Sequence, residues 1–407
     1  MIPMVRKGAV VASASLALCL AAAACSSSSS SSPSGGSTST SSSSAVKVTI
    51  SVSQFDRNFT AMSALKPLAS AGKGNVAVIL PDTVTSARYV QFDAPYLTQA
   101  LTAAGLSSSQ FTVQNAQGSD ATELSDAQTA ITKGATVLIM DPLDSGVGAQ
   151  IEQYAKAHGV AVIDYDRLTL GGSRQYYVSF NNVLVGTKIG QGFAACATAW
   201  NVSKPNVLVM KGDPTDNNAT LFAQGYLGVL NPFFTSGKYV KVGEPAGTWT
   251  PSVALSEFQQ NFTAHKNINS VLTPNDANAA PIIHYLQTQG VKAKTFPVTG
   301  QDATTIGLQN ILAGYQCGTV YKPIYLEAQA AAALAIFVRA GQKPPSTLVN
   351  ASTNDSKSNA PVPSVYLTPK WVTAANMAST VVADKFVTVG QLCVGQYVQL
   401  CKTAGIS

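Results

Sequence analysis

From Asn75 onward the chain alternates between short, unbroken apolar runs and longer stretches whose apolar residues recur three and four apart. Unbroken runs fit strands covered on both faces, and the longer stretches fit amphipathic helices. Strands are expected over Asn75 to Leu80, Phe111 to Gln114, Thr136 to Met140 and Ala161 to Asp164, with helices over Tyr89 to Ala104, Asp120 to Lys133 and Val147 to His158. The pattern then restarts. Strands are expected at Asn206 to Met210, Tyr239 to Gly243, Ser270 to Thr273 and Phe296 to Thr299, and helices at Val183 to Trp200, Ala219 to Leu230, Val253 to Phe262 and Ala277 to Gln289. Few folds satisfy such a pattern, because strands joined through helices run parallel and the helices then cover both faces of the sheet. The fold class is therefore α/β, two copies of one architecture with parallel sheets. A strand at Thr319 to Tyr321, a helix at Leu326 to Ala340 and an extended piece at Ser364 to Leu367 fit a chain that crosses back and forth between the lobes.

The N-terminal residues bear on the compartment. Arg6 and Lys7 precede an apolar run from Gly8 to Ala24, which ends in Ala22-Ala23-Ala24-Cys25. This is the pattern of a secretory signal with a lipobox, although Ala22 stands where Leu is usual. A spanning helix would need about 20 strongly apolar residues, and this run is shorter and mostly Ala. Residues 1–24 are thus expected to be a signal peptide and Cys25 a lipidation site. Residues 25–45, nearly all Ser, Thr, Gly and Pro, would form a tether that holds a domain outside a membrane. What remains is too long for one ordinary core, in keeping with two lobes.

The net charge of +6 comes without any Lys/Arg cluster beyond Arg6-Lys7, so a nucleic-acid footprint is absent. Only 11% of residues are charged, which suits a neutral ligand. Past the signal, four cysteines in an oxidising compartment allow three pairings. Cys393 and Cys401 are close in a short tail and are favoured as a bridge, leaving Cys196 with Cys317. Metal ligation is the rival, but the three His, at 158, 265 and 284, lie far in sequence from any Cys and make no ligand spacing.

In open α/β sheets ligands sit beyond the carboxyl ends of strands. The residues at those ends here form a consistent set: Arg88 and Tyr89; Asp166 and Arg167; Asp216, Asn217 and Asn218; Asn275 and Asp276; Gln301 and Asp302; and Lys322. Each has an ordinary alternative. Asp166-Arg167 could be a simple ion pair, and Asp216, Asn275 and Asp302 could be helix caps. Their recurrence at one topological end favours a site. Carboxylates and amide oxygens accept from hydroxyl groups while Arg and Lys donate to ring and hydroxyl oxygens, so the set suits a polyol. Tyr89 and Trp249 could stack on the C–H faces of a pyranose, with core packing the alternative. Trp249 lies in a turn-rich GTWTP stretch, which argues against burial. No G-x-S-x-G, H-E-x-x-H or P-loop is present, and no Cys stands with a His as a nucleophile. Paired acids could serve a glycosidase, so a glycoside-active enzyme is kept as a minor alternative.

At these motifs the chain resembles the periplasmic sugar-binding proteins of ABC transporters, and among them the D-xylose-binding members most. The stretches that carry the resemblance are SARY, AVIDYDRL, YVSFNN, GDPTDNNATLF, TPNDANAA, TGQDATT and TVYKPI, in order, between about Gly74 and Pro369. The resemblance implies a type I periplasmic-binding-protein fold, two Rossmann-like lobes with parallel sheets joined by three hinge crossovers and closing on one monosaccharide. The first lobe would hold residues 74–179 plus 320–362, the second 180–319 plus 363–407, with 46–73 as an N-terminal extension. Arg88, Asp166 and Arg167 would bind sugar from the first lobe, Asp216, Asn218, Asn275 and Asp302 from the second, and Lys322 from a crossover. Trp249 matches a stacking aromatic, and Tyr89 stands where the family usually has Trp. The implied partners are a sugar, D-xylose or a related aldopyranose, and an ABC permease, with no cofactor and a monomeric state. A sensor that presents its ligand to a membrane receptor or kinase is the alternative.

Overall fold

The computed structural model describes residues 47–407. The signal peptide, Cys25 and the Ser-rich tether lie outside the described residues. Val46–Ser407 forms one compact unit, built around two sheets.

The first sheet has seven strands in the order β10-β11-β5-β4-β3-β1-β2. They are β1 (Asn75–Leu80), β2 (Phe111–Asn115), β3 (Ala135–Met140), β4 (Ala161–Tyr165), β5 (Tyr176–Phe180), β10 (Ala351–Asp355) and β11 (Ala360–Leu367). All neighbours pair in parallel except the β10–β11 hairpin. Helices α1 (Lys66–Ala71), α2 (Ala94–Ala103), α3 (Asp120–Thr132), α4 (Ser145–Ala157) and α10 (Ile324–Arg339) cover its faces. The strand residues Val76 to Leu80 are all buried, as unbroken apolar runs require.

The second lobe carries β6 (Asn206–Val209), β7 (Val240–Gly243) and β8 (Ser270–Leu272) in the order β7-β6-β8. A parallel bridge from Val271 to Val298 and another from Gln301 to Val320 continue this sheet to β9 (Thr319–Tyr321), which pairs antiparallel with β12 (Lys370–Val372). The helices are α5 (Asn182–Ala199), α6 (Asn217–Thr235), α7 (Pro251–Ala264), α8 (Asp276–Thr288) and α9 (Thr305–Leu312), followed by α11 (Val389–Leu392) and α12 (Tyr397–Thr403) in the tail. The α5–α6 contact is close because Gly186 and Gly225 have no Cβ; one added at Gly186 would run into the backbone of Phe222. The chain crosses between sheets after β5, after β9 and after β11, and this is the type I periplasmic-binding fold.

Several expectations need correction. The boundary at 362/363 falls inside β11, one continuous strand of the first sheet, so the third crossing comes after Leu367. The 46–73 segment is no appendage: Met62, Leu65 and Leu68 join the core formed by α2 and α10. Within it a 3-10 turn at Val52–Gln54 is followed by a 3-10 helix at Thr60–Leu65, entered through Phe59 at a left-handed φ of 59°. Phe296 to Thr299 is extended but bridged only at Val298, and the Tyr89 helix opens with a π-turn, Tyr89–Asp93. The β10 strand, hidden in the polar Ala351–Asp355, was not anticipated, and neither was β5.

Both disulfides form, Cys196 with Cys317 and Cys393 with Cys401. The first ties α5 to the segment leading into β9. No group of metal-ligating residues occurs among the described residues, and none of their helices is long and apolar enough to cross a membrane.

Candidate binding site

Arg88, Tyr89, Asp166, Arg167, Asp216, Asn218, Asn275, Asp302 and Lys322 from the strand ends line one cavity between the lobes together with Trp249, whereas the neighbouring Asn217 and Asp276 do not reach it. It is small, with about 330 Å³ of atom-free space even when its open mouth is included. Thr85, Ser86, Phe222 and Gln301 complete the wall. Ser86 and Gln301 lie inside quoted motifs at strand ends. Phe222 sits at a helical spacing that reads as core.

Charge organises the first lobe's side. The Arg88 guanidinium donates to both carboxylate oxygens of Asp93 (2.9 and 2.7 Å), to Asp166 (2.8 Å) and to Glu327 (2.8 Å), all buried. Such saturation fixes the rotamer of Arg88 and leaves Asp166 aimed at the cavity. Asp166 and Arg167 do not form the simple pair that their adjacency suggests. Asp166 meets Arg88 and also Lys322 (3.4 Å). Arg167 meets Asp216 (3.3 Å) and Asp141 (3.6 Å), and donates to the Pro142 and Leu143 carbonyls and to the Tyr89 hydroxyl. Burial alone would raise the Asp166 carboxyl, but Arg88, Lys322 and Arg167 outweigh it and hold the group below the usual carboxylate range. At Asp216 burial wins, and its pKa is raised despite Arg167. Tyr89 is buried with its ring within 5.8 Å of both guanidinium carbons, a cation–π position.

The second lobe's side is built from helix starts. Asp216 caps α6 by accepting from Asn218 N–H (2.8 Å), and its other oxygen takes the indole N–H of Trp249 (2.9 Å). Asn275 caps α8 through Asn278 N–H (2.9 Å). Cap and cavity wall are thus the same side chain at both places. Asp302 is no cap; Thr304 caps α9. Asp302 instead has φ 93° and the neighbouring Ala303 φ 51°, while Asp166 has φ 58°. Strained backbone of this kind persists where the surroundings over-determine it, often at functional sites. Asp302 Oδ2 accepts from the Ser86 hydroxyl across the lobes (3.2 Å), and Lys322 Nζ lies 3.8 Å from Oδ1. Asp302 Oδ1 and Gln301 Oε1 have no hydrogen-bond partner among the described residues.

Trp249 corrects an expectation, for it is 9% exposed. Its six-membered ring lies against Gly212, where an added Cβ would strike it, and that glycine is what lets a turn residue be buried. The T-shaped contact with Phe222, 6.3 Å between centroids, makes the apolar wall. Direct bonds between the lobes, Ser86 to Asp302, Asn218 Nδ2 to the Asp166 carbonyl (3.0 Å) and Arg167 to Asp216, mark this as a closed arrangement.

A closed, two-lobed cleft with charged acceptors and donors around an aromatic corner defines a ligand-binding protein for a small polar molecule. Residues 76–343 match the model of the periplasmic binding protein domain. The chain is 37% identical over 277 residues to the D-xylose-binding periplasmic protein of Escherichia coli K12, covering 67% of this chain and 80% of that one. It is 30% identical over 341 residues to the multiple sugar-binding periplasmic receptor of Rhizobium radiobacter, covering 80% and 94%. A carbohydrate-transporter solute-binding protein from Chloroflexus aurantiacus, solved with D-glucose, superposes with a TM-score of 0.69 at 26% identity, covering 78% of this chain and 97% of that one. The chain belongs to the periplasmic binding protein family, on the branch whose members are sugar-binding proteins of ABC transporters rather than enzymes.

Proposed function

We propose that this protein is the substrate-binding lipoprotein of an ABC sugar importer, held outside the membrane by a lipid on Cys25. It binds a monosaccharide, D-xylose or a related aldopyranose, and delivers it to a permease. The observation that carries the reading is the convergence of Arg88, Tyr89, Asp166, Arg167, Asp216, Asn218, Trp249, Asn275, Asp302 and Lys322 on one small cavity between lobes. In it Asp166 and Asp302 accept from hydroxyls, Arg167, Asn218 and Lys322 donate, and Trp249 with Phe222 covers an apolar face. Charge-assisted bonds supply orientation. Closure follows because only the closed form lets both lobes touch one ligand.

The test is calorimetry on the compact unit 46–407 with xylose, arabinose, ribose, glucose and galactose, after removal of any sugar carried through purification. One saturable site for an aldose, weakened at least about tenfold by Asp302→Ala and by Arg167→Ala, is the expected result. No heat from any of the five with folded, ligand-free protein would end the monosaccharide assignment. Labelling by a radioactive fatty acid that is lost in Cys25→Ala tests the anchor.

A further inference from the structure

We propose that Asp276 is the positioning residue of the second lobe's half of the cavity: one buried carboxylate that fixes Asn275, the Gln301–Asp302 turn and the strand leading to Lys322 relative to one another. Its consequence for affinity rests on the sugar-binding reading, whereas its geometry does not. Asp276 is fully buried at the first position of α8, next to Asn275, and lies outside the cavity wall.

The bonds of Asp276 bracket the strained turn on both sides. Its N–H donates to the Gln301 carbonyl (2.9 Å). Its Oδ2 accepts from the Thr304 N–H (2.9 Å) and the Thr304 hydroxyl (3.2 Å). Residues 302 and 303, both at positive φ, lie between those anchors. The same Oδ2 accepts from the Thr319 hydroxyl (3.1 Å), whose oxygen in turn accepts from the Ala303 N–H (3.1 Å). Thr319 opens β9, and Lys322 follows its last residue. Oδ1 accepts from Gln316 Nε2 (2.7 Å), on the segment that enters β9. Every side-chain contact of Asp276 is thus with a donor, and these donors come from two separate chain segments.

Space is allotted to match. A Cβ added at Gly300 or Gly307 would collide with the Asp276 carboxylate, so both glycines leave room for it. An amide at 276 would keep the shape but turn one oxygen into a donor that faces other donors, which costs more than the loss of a single bond. The expected result is a turn free to relax from its left-handed φ, with Asp302 Oδ1 and Lys322 Nζ no longer held 3.8 Å apart.

The experiment compares wild type with Asp276→Asn on the compact unit 46–407. Hydrogen exchange without ligand should speed up over 300–304 and 319–322 while β3 in the first lobe stays protected. Unchanged exchange in those segments, or acceleration spread evenly over the molecule, overturns the proposal. In calorimetry with D-xylose, Asp276→Asn should weaken binding ~30-fold, but only about threefold in an Asp302→Asn background, because coupled residues are not additive. Fully additive costs would show that Asp276 does not act through Asp302. If Asp276→Asn does not fold, Thr319→Val decides by the same exchange criterion at Ala303. It keeps the side-chain shape and removes only the hydroxyl between Ala303 N–H and Asp276. If wild type binds no aldose, the sugar assignment falls, and exchange alone decides on positioning.

Discussion

In the first lobe the cavity side chains are held by buried charge, Arg88 by Asp93, Asp166 and Glu327, and Arg167 by Asp141. In the second lobe they are held by helix starts and a hydrogen-bonded turn, with Asp216 and Asn275 capping helices and Asp302 set on a left-handed backbone. The two ways of fixing a side chain fail differently. A buried ion pair that loses one partner leaves an uncompensated charge, whereas a lost cap costs about 1 kcal/mol. Stability and ligand contact are therefore entangled in the first lobe and separable in the second.

The largest effect should come from breaking the first lobe's network at its centre. Arg88→Met would leave Asp93, Asp166 and Glu327 buried without the guanidinium that now touches all three. Such a change should cost about 3–5 kcal/mol of unfolding free energy, read from urea denaturation. A loss under about 1 kcal/mol would mean that water or protonation rescues the cluster, and the contrast between the lobes would lose its basis.

The matching change in the second lobe is Asp302→Ala. Asp302 has one carboxylate oxygen without a hydrogen-bond partner among the described residues, so little protein bonding is lost with it. Affinity for the bound aldose should fall roughly 10- to 100-fold, the worth of a hydrogen bond to a charged group, with the urea midpoint nearly unchanged. A large loss of stability would show the second lobe to be as entangled as the first.

The same contrast explains what could be read from the sequence. Strands such as Asn75–Leu80 and Ala161–Tyr165 stand out because burial on both faces demands unbroken apolar runs. The cavity residues were legible because a parallel sheet puts all its strand carboxyl ends on one side, so position along the chain implied position in space. The residues that hold them were not. Asp93, Asp141 and Glu327 look like ordinary helix or loop acids; the π-turn carries Asp93 back to Arg88, and only tertiary packing brings Glu327 to Arg88 and Asp141 to Arg167. The β10 strand was hidden because its sequence, Ala-Ser-Thr-Asn-Asp, is polar. It lies at the edge of the sheet, where Asp355 is buried against Arg174 (2.5 Å) rather than against apolar side chains. Trp249 misled because turn composition predicts exposure, and the gap above Gly212 that receives its ring is invisible in sequence.

A smaller effect should follow from Trp249→Phe. Phenylalanine keeps an aromatic face toward Phe222 but removes the indole N–H that Asp216 accepts at 2.9 Å. Asp216 would keep Arg167 and its cap, so the fold should persist, and affinity should drop about tenfold through loss of one charge-assisted bond and part of the stacking area. Equal affinity would assign the apolar wall to Phe222 alone.

The smallest effect is spread over pH, and it bears on buried acids of the first lobe. Burial, the dominant cause in each case, pushes Glu123 and Glu327 up to about 8. A carboxyl whose folded pKa lies above its unfolded value binds its proton more tightly in the folded state. Its contribution to stability is therefore fully present below the unfolded pKa and is lost as pH rises through the folded pKa. The unfolding temperature should accordingly decline between about pH 4.5 and pH 8. Glu123 tests this apart from ligand contact, since it lies outside the cavity wall and accepts from the Leu143 N–H. Glu123→Gln removes the ionisation while keeping an acceptor, so it should flatten part of the decline and leave sugar affinity unchanged. A variant whose stability still tracks pH as wild type does would shift the origin of the decline to Glu327, the acid that accepts from Arg88.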